Sequence, residues 1–252
     1  MTAIELNHIV KQFRVYTSRN DRWIRREVLN ALKRNNRGND YWTVLQDIDL
    51  RIGKGEIIGL IGRNGSGKST LLRLITGILQ PTSGTIEING SMCALLELGA
   101  GFSPDLTVEE NVFLYGTILG LQEKRIRQLL PEIISFSELD SFLDTPIKHC
   151  SSGMQARLGF AVATSADPDI FLLDEILAVG DQGFRQKCED KLQELFDGNK
   201  TIVMVSHDLD SIRKICTRAI WLDSGTIQAD GRPDAVISKY EAIFNPALAE
   251  AS

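Results

Sequence analysis

No stretch approaches the roughly 18 uninterrupted apolar residues that a membrane-spanning helix needs. The N-terminus, MTAIELNHIVKQF, carries no apolar signal core. Any role at a membrane is therefore expected from the cytoplasmic side, through a partner. Cysteine is sparse: Cys93, Cys150, Cys188 and Cys216 lie far apart, with no pair at zinc or dithiol spacing. Buried thiols in a reducing compartment are the expectation. Excess positive charge is missing too. The formal net charge of −5 speaks against a nucleic-acid partner held by bulk electrostatics. The rest is the composition of an ordinary soluble protein, and 252 residues suffice for one large core.

The pattern along the chain changes period repeatedly. Ile4, Leu6, His8 and Val10 alternate as in a half-buried strand, and Ile48, Leu50 and Ile52 read as its antiparallel neighbour. The segment 17–42 between them is longer than a hairpin needs. Its centre, RWIRREVLNALKR, sets Ile24, Val28, Ala31 and Leu32 on one helical face. Seven Arg or Lys stand against two acidic residues between Arg19 and Arg37. Such a segment suits anionic lipid heads or a partner's surface. Equally, it suits a solvated helix packed by its apolar stripe on the β-lobe, and both readings stand.

A bare apolar strand, EIIGLI, is followed by a glycine-rich turn and by LLRLITGIL at helical period, with Pro81 and the turn TSG closing that helix. TIEIN and CALLEL read as strands. Thr107 and Glu110 form a capping box for a helix running to about Leu119 and ended by Gly120. QEKRIRQLL and PEIISF extend the helical stretch to about Asp144, with a break expected at Pro131. DIFLLD, TIVMVS and AIWLD follow as strands, with GFRQKCEDKLQELF a helix between the first two. Apolar strands alternating with helices predict an α/β fold whose parallel-sheet core is covered on both faces. The expected organisation is one unit, 1–252. Its α/β core with an antiparallel β-lobe occupies 1–104 and 150–252, a helical subdomain is inserted at 105–149, and the basic insertion is 17–42.

The strongest local signal is Gly62-Arg63-Asn64-Gly65-Ser66-Gly67-Lys68-Ser69, a phosphate-binding loop between a strand and a helix that continues through Thr70. Its glycines let backbone N–H groups face a polyphosphate, and the helix N-terminus adds a favourable dipole. Lys68 can reach the β- and γ-phosphates, and Ser69 offers a hydroxyl to Mg²⁺. The apolar strand Ile170–Leu173 ends in two carboxylates. Asp174 at a strand tip can hold Mg²⁺ through water, and Glu175 can polarise an attacking water as general base. Taken alone, the pair could equally cap a helix; beside a phosphate loop the catalytic reading is the better one. His207 ends another apolar strand, where a lone histidine is more often structural. Parallel strand order would carry it towards the γ-phosphate.

A further stretch, HCSSGMQARLGFAVA, opens an apolar-striped helix with two hydroxyls and a glycine. Taken with the phosphate loop and the acidic strand, in this order, it makes the chain resemble the ATP-binding-cassette ATPases along nearly its whole length. Cys150-Ser151-Ser152-Gly153-Met154 stands where that family carries its signature loop, typically LSGGQ. The resemblance implies ATP and Mg²⁺ as cofactors. It also implies a head-to-tail homodimer, in which Ser151, Ser152, Gly153 and Met154 of one copy meet the γ-phosphate held by the other. It further implies a D-loop at Ala178-Val179-Gly180-Asp181 and an aromatic stacked on adenine, for which Phe13 and Tyr16 are both candidates. The family's usual glutamine after the strand CALLEL is missing here; Glu97 or a neighbour stands in that place.

Three segments resemble one branch of the family, the ATPase subunits of polysaccharide exporters: LLELGAGFSPDLTVEEN, SSGMQARLGFAVA and DEILAVGDQGFRQKC. That branch implies a subunit at the cytoplasmic face of the inner (plasma) membrane, peripheral through a separate transmembrane permease dimer. The permease would handle a lipid-linked glycan: O-antigen, capsule or teichoic acid. The chain stops soon after VISKYEAIFNPALAEAS, so glycan recognition is expected to rest with the permease. Two alternatives compete: a soluble cassette ATPase of repair or translation, and a nucleotide-dependent regulator that does not hydrolyse. The first usually carries two cassettes or a coiled-coil insertion, and neither is found here. Intact Lys68, Asp174, Glu175 and His207 argue against the second.

Overall fold

In the computed structural model the described residues are 1–14, 41–95, 99, 101–174 and 182–244. The readings on residues 17–40 and on Tyr16, Glu97, Glu175 and Asp181 lie outside them. The chain begins with strands β1 (Thr2–Arg14), β2 (Tyr41–Gly53) and β3 (Ile57–Ile61), then helix α1 (Lys68–Ile75). Strands β4 (Ser83–Ile88) and β5 (Met92–Leu95) lead into helices α2 (Val108–Ile118), α3 (Glu123–Ser137) and α4 (Ser152–Ser165). Next come β6 (Ile170–Asp174), α5 (Gln182–Asp197), β7 (Thr201–Val205) and α6 (Leu209–Ile215). A hairpin of β8 (Arg218–Asp223) and β9 (Thr226–Gly231) precedes α7 (Pro233–Phe244).

Strands that are apolar on both faces must be covered on both sides. Accordingly β3, β6 and β7 sit inside a six-stranded sheet of order β5-β6-β7-β3-β8-β9, parallel from β5 to β8, with β9 antiparallel at the edge. The period of two sorts their side chains into two cores. Ile57, Ile61, Phe171, Leu173, Ile202 and Met204 pack with the helices on one face. Ile58, Leu60, Ile170, Leu172, Val203 and Val205 pack on the other with α1 and the antiparallel sheet β2-β1-β4. All four cysteines are free and buried. Burial pushes the thiols of Cys93, Cys188 and Cys216 up to about 12, so they are inert near neutral pH. Among the described residues, no helix is long and apolar enough to cross a membrane.

Several expectations need correction. The alternation of β1 does not run through His8 and Val10: the register against β2 slips between Leu6 and Ile9. His8 and Asp47 both take left-handed backbone there, with φ of 51° each, and Ile9 turns inward while His8 is exposed. The His8 imidazole meets Asp47 and Asp49, and donating its Nδ1–H to the Asp47 carboxylate raises its pKa. Tyr41 and Trp42, counted with the insertion, belong to β2. Helix α1 stops at Ile75, well before Pro81, because Gly77 adopts φ 75° and turns the chain out of the helix.

Pro131 does not break α3. A proline inside a helix costs about 3 kcal/mol. The buried stripe of Ile126, Leu129, Ile133 and Ile134 spans it, and each fully buried aliphatic contributes roughly 1.5–3 kcal/mol. Packing therefore outweighs the lost hydrogen bond. Strand β9 and helices α6 and α7 add to the elements expected from the sequence. Their signals were an Asp223-Ser224-Gly225 turn, an Asp208 N-cap and a Pro233 at a helix start.

The helical excursion after β5 returns to where it left. Val108 and Glu109 donate N–H groups to the carbonyls of Thr145 and Leu143, and Ile147 and Lys148 donate to those of Leu106 and Pro104. The capping box at Thr107 and Glu110 is formed, and Gly120 follows the end of α2 with φ 86°. Asn111, fully buried on α2, stitches the preceding loop to the helix. Its Oδ1 accepts from Ser103 N–H at 2.8 Å, and its Nδ2 donates to the carbonyls of Ser103, Leu106 and Thr107 at 3.1, 3.0 and 2.8 Å. Asn111→Ala strips these groups of partners, with an expected loss of about 2–3 kcal/mol. Urea unfolding measures it, and a loss below about 0.5 kcal/mol would show that the stitch carries no stability.

Candidate functional site

The loop Gly62–Gly67 leaves β3 and delivers Lys68 as the first residue of α1. Its path is compressed between two neighbours. A Cβ on Gly62, at φ 147°, would come within 2.1 Å of the Leu222 carbonyl oxygen on β8. One on Gly67, at φ 109°, would come within 2.7 Å of the Leu45 side chain on β2. Only glycine fits either position. From outside, Gly225 N–H of the β8–β9 turn holds the Ser66 carbonyl at 3.1 Å. Lys68 is buried, and its Nζ donates to the carbonyls of Gly62 at 2.7 Å and Arg63 at 3.0 Å. The first turn of α1 carries no acidic side chain, so the positive end of its dipole is not cancelled.

Parallel order brings the other groups to the same edge. Leu60 of β3 and Asp174 of β6 both pair with Val205 of β7, so the three strands end in one row. His207 follows two residues beyond Val205. The outcome is a cleft of about 310 Å³ lined by Asn64, Gly65, Gly67, Lys68, Ser69, Thr70, Asp174, Val205 and His207. Phe13, Trp42 and Val44 complete its wall. Phe13 pairs with Trp42 across β1 and β2, and both rings are exposed, at 36% and 51%. Trp42 is not legible as a cleft residue from local pattern: its pairing with Phe13, far away in the chain, places it here. Gly62, Arg63 and Ser66 shape the loop without lining the cleft.

Ser151, Ser152, Gly153 and Met154 are not among the residues lining the cleft. Ser151 is the N-cap of α4, its hydroxyl accepting from Met154 N–H at 3.2 Å. A hydroxyl used once as acceptor keeps its own hydrogen to donate. Ser151 and Ser152 are exposed, so this helix start faces solvent in a single chain. Gln155, which the sequence reading did not single out, fixes the approach: its Nε2 donates to the carbonyls of Ile147 and Cys150, both at 3.1 Å.

The cleft's chemistry suits a polyphosphate with a hard cation. A buried ammonium and a helix N-terminus face one side, and the oxygen donors of Ser69 and Asp174 suit Mg²⁺. Fold and site together define a P-loop nucleotide-binding domain. The chain belongs to the ABC transporter family, whose profile matches residues 45–178. It is 48% identical over 255 residues to the O-antigen export system ATP-binding protein RfbB of Myxococcus xanthus, covering 100% of this chain and 58% of that protein. It is 40% identical over 239 residues to the teichoic acids export ATP-binding protein TagH of Staphylococcus haemolyticus, covering 95% and 88%. Among solved structures it resembles an ATP-binding subunit of an ABC transporter, with TM-score 0.73 and 23% identity, covering 95% and 93%. It also resembles a dimeric ATP-binding cassette in a post-hydrolysis state bound to ADP and Pi, with TM-score 0.68 and 23% identity, covering 91% and 98%. These two likenesses establish the fold.

Proposed function

We propose that this chain is the ATP-hydrolysing subunit of a cell-surface polysaccharide exporter. It acts as a head-to-tail homodimer at the cytoplasmic face of the inner membrane, on a separate transmembrane permease that carries a lipid-linked glycan of the O-antigen, capsule or teichoic-acid class. The observation that carries the ATPase reading is the meeting of Lys68, Ser69, Asp174 and His207 in one cleft. The exporter reading draws on the names of its relatives at 48% and 40% identity.

Each residue's part follows from its place. Lys68 and the loop N–H groups take the β- and γ-phosphates and compensate their charge. Ser69 and Asp174 would hold Mg²⁺, which when bound would supply positive charge to offset that of the phosphate oxygens. Glu175, next along the chain from Asp174, takes the proton of the attacking water, and His207 contacts the γ-phosphate. Phe13 and Trp42 form the platform for adenine. Ser151 and Gly153 come from the second copy and close over the γ-phosphate, with Asp181 at the same dimer seam.

The test is ATP turnover by the chain reconstituted with its permease. The rate is expected to require Mg²⁺, to fall to background with EDTA, and to rise when the lipid-linked glycan is added. Absence of Mg²⁺-dependent turnover in that complex would overturn the enzymatic reading. Indifference to the glycan would overturn the exporter reading.

A further inference from the structure

We infer that α7 is a brace on the phosphate loop, and that Phe244 acts through Arg63 to set how tightly nucleotide binds. This rests on the nucleotide reading above and extends it to residues at the far end of the chain. The guanidinium of Arg63, the second residue of the loop, lies over the Phe244 ring at 5.2 Å from its centroid. That ring is held in place by its surroundings. Phe244 packs on Trp221 at 6.0 Å and on Tyr240 at 5.1 Å, and Trp221 pairs with Ile61, the residue just before Gly62. Helix α7 is itself anchored by buried Val236 and Ile237 and by Glu241, whose carboxylate accepts from Arg213 of α6 at 2.7 Å.

Arg63 joins this post to the centre of the site. Its carbonyl accepts from Lys68 Nζ at 3.0 Å and from Ser66 N–H at 3.1 Å. Its side chain is thus held from outside while its backbone oxygen positions the phosphate-binding ammonium inside. Fixing Arg63 keeps the loop in the conformation that receives phosphates. Releasing it lowers the fraction of loops ready to bind, and apparent affinity falls with that fraction.

The experiment measures affinity for a non-hydrolysed MgATP analogue, together with KM and kcat for ATP, on the full chain. Phe244→Leu keeps an apolar contact on Trp221 but removes the ring face. It is expected to raise Kd and KM about two- to fivefold, matching the roughly 0.5–1 kcal/mol of an exposed cation–π contact, and to leave kcat unchanged. Phe244→Tyr, which retains the ring, should restore wild-type values. A purely structural role would not make that split. Arg63→Gln, at an exposed position that does not threaten folding, should raise Kd similarly, and the double variant should be no weaker than either single one. An unchanged Kd in Phe244→Leu, or additive effects in the double variant, would overturn the brace. Failure of the wild-type chain to bind the analogue would instead overturn the nucleotide reading itself.

Discussion

Lys68→Ala abolishes ATP hydrolysis: the expected fall in kcat is at least a hundredfold, with much weaker nucleotide binding. Lys68 is buried, and its Nζ already lies against the carbonyls of Gly62 and Arg63 at 2.7 and 3.0 Å. The ammonium is therefore held at the loop before phosphate arrives, which limits the reorganisation needed when charge develops on the transferred group. Removing one such preorganised donor typically costs 10²–10³ in rate. The fold should survive the change, because the packing of α1 rests on Leu71, Leu72, Leu74 and Ile75, which the substitution leaves in place. Steady-state turnover and thermal unfolding, measured together, separate the two effects. A folded variant that retains more than about a tenth of wild-type turnover would show that Lys68 is not the phosphate ligand.

Ser151→Arg is expected to leave nucleotide binding by a single chain within about twofold of wild type, while ATP-driven dimerisation and turnover disappear. The local cost is modest. Losing an N-cap serine removes about 1 kcal/mol from a helix whose Leu158, Phe160 and Val162 are buried, so α4 should persist. Binding by one chain should persist as well, because Ser151 does not line the cleft of its own chain. What changes is the solvent-facing helix start. The hydroxyl gives way to a long cation at the position proposed to close on a second copy's phosphates. Analogue binding, ATP-dependent dimer formation by light scattering, and turnover check the three parts. Turnover within twofold of wild type would remove this loop from the proposed dimer seam. Ser151→Ala, which deletes the hydroxyl without adding bulk, should fall between the two.

Much of the site was legible because its chemistry is local. A strand, a glycine-rich turn and a helix occupy consecutive residues, so Gly62 to Ser69 declare a phosphate loop without reference to anything distant. The capping box of Thr107 and Glu110 and the N-cap of Ser151 are likewise decided within a single turn of helix. Bulges and breaks were less legible. The slip at His8 depends on Asp47 opposite it, and the continuity of α3 through Pro131 depends on the core against which its stripe packs. In both, contacts made elsewhere outweighed the local preference.

Residue order alone declares most of the elements and the chemical groups they carry: the loop lysine, the acidic strand end, the serine-capped helix, the apolar strands that demand cover on both faces. Which of them meet is settled by packing across the whole chain. The strand order β6-β7-β3 sets Asp174 and His207 beside Lys68, pairing of β1 with β2 sets Trp42 beside Phe13, and the packing of α7 on β8 sets Phe244 beneath Arg63. The physical reason is range. Periodicity and turn chemistry act over a few residues, whereas these meetings join positions tens to nearly two hundred residues apart, and they follow from which faces of the sheet the whole chain must bury.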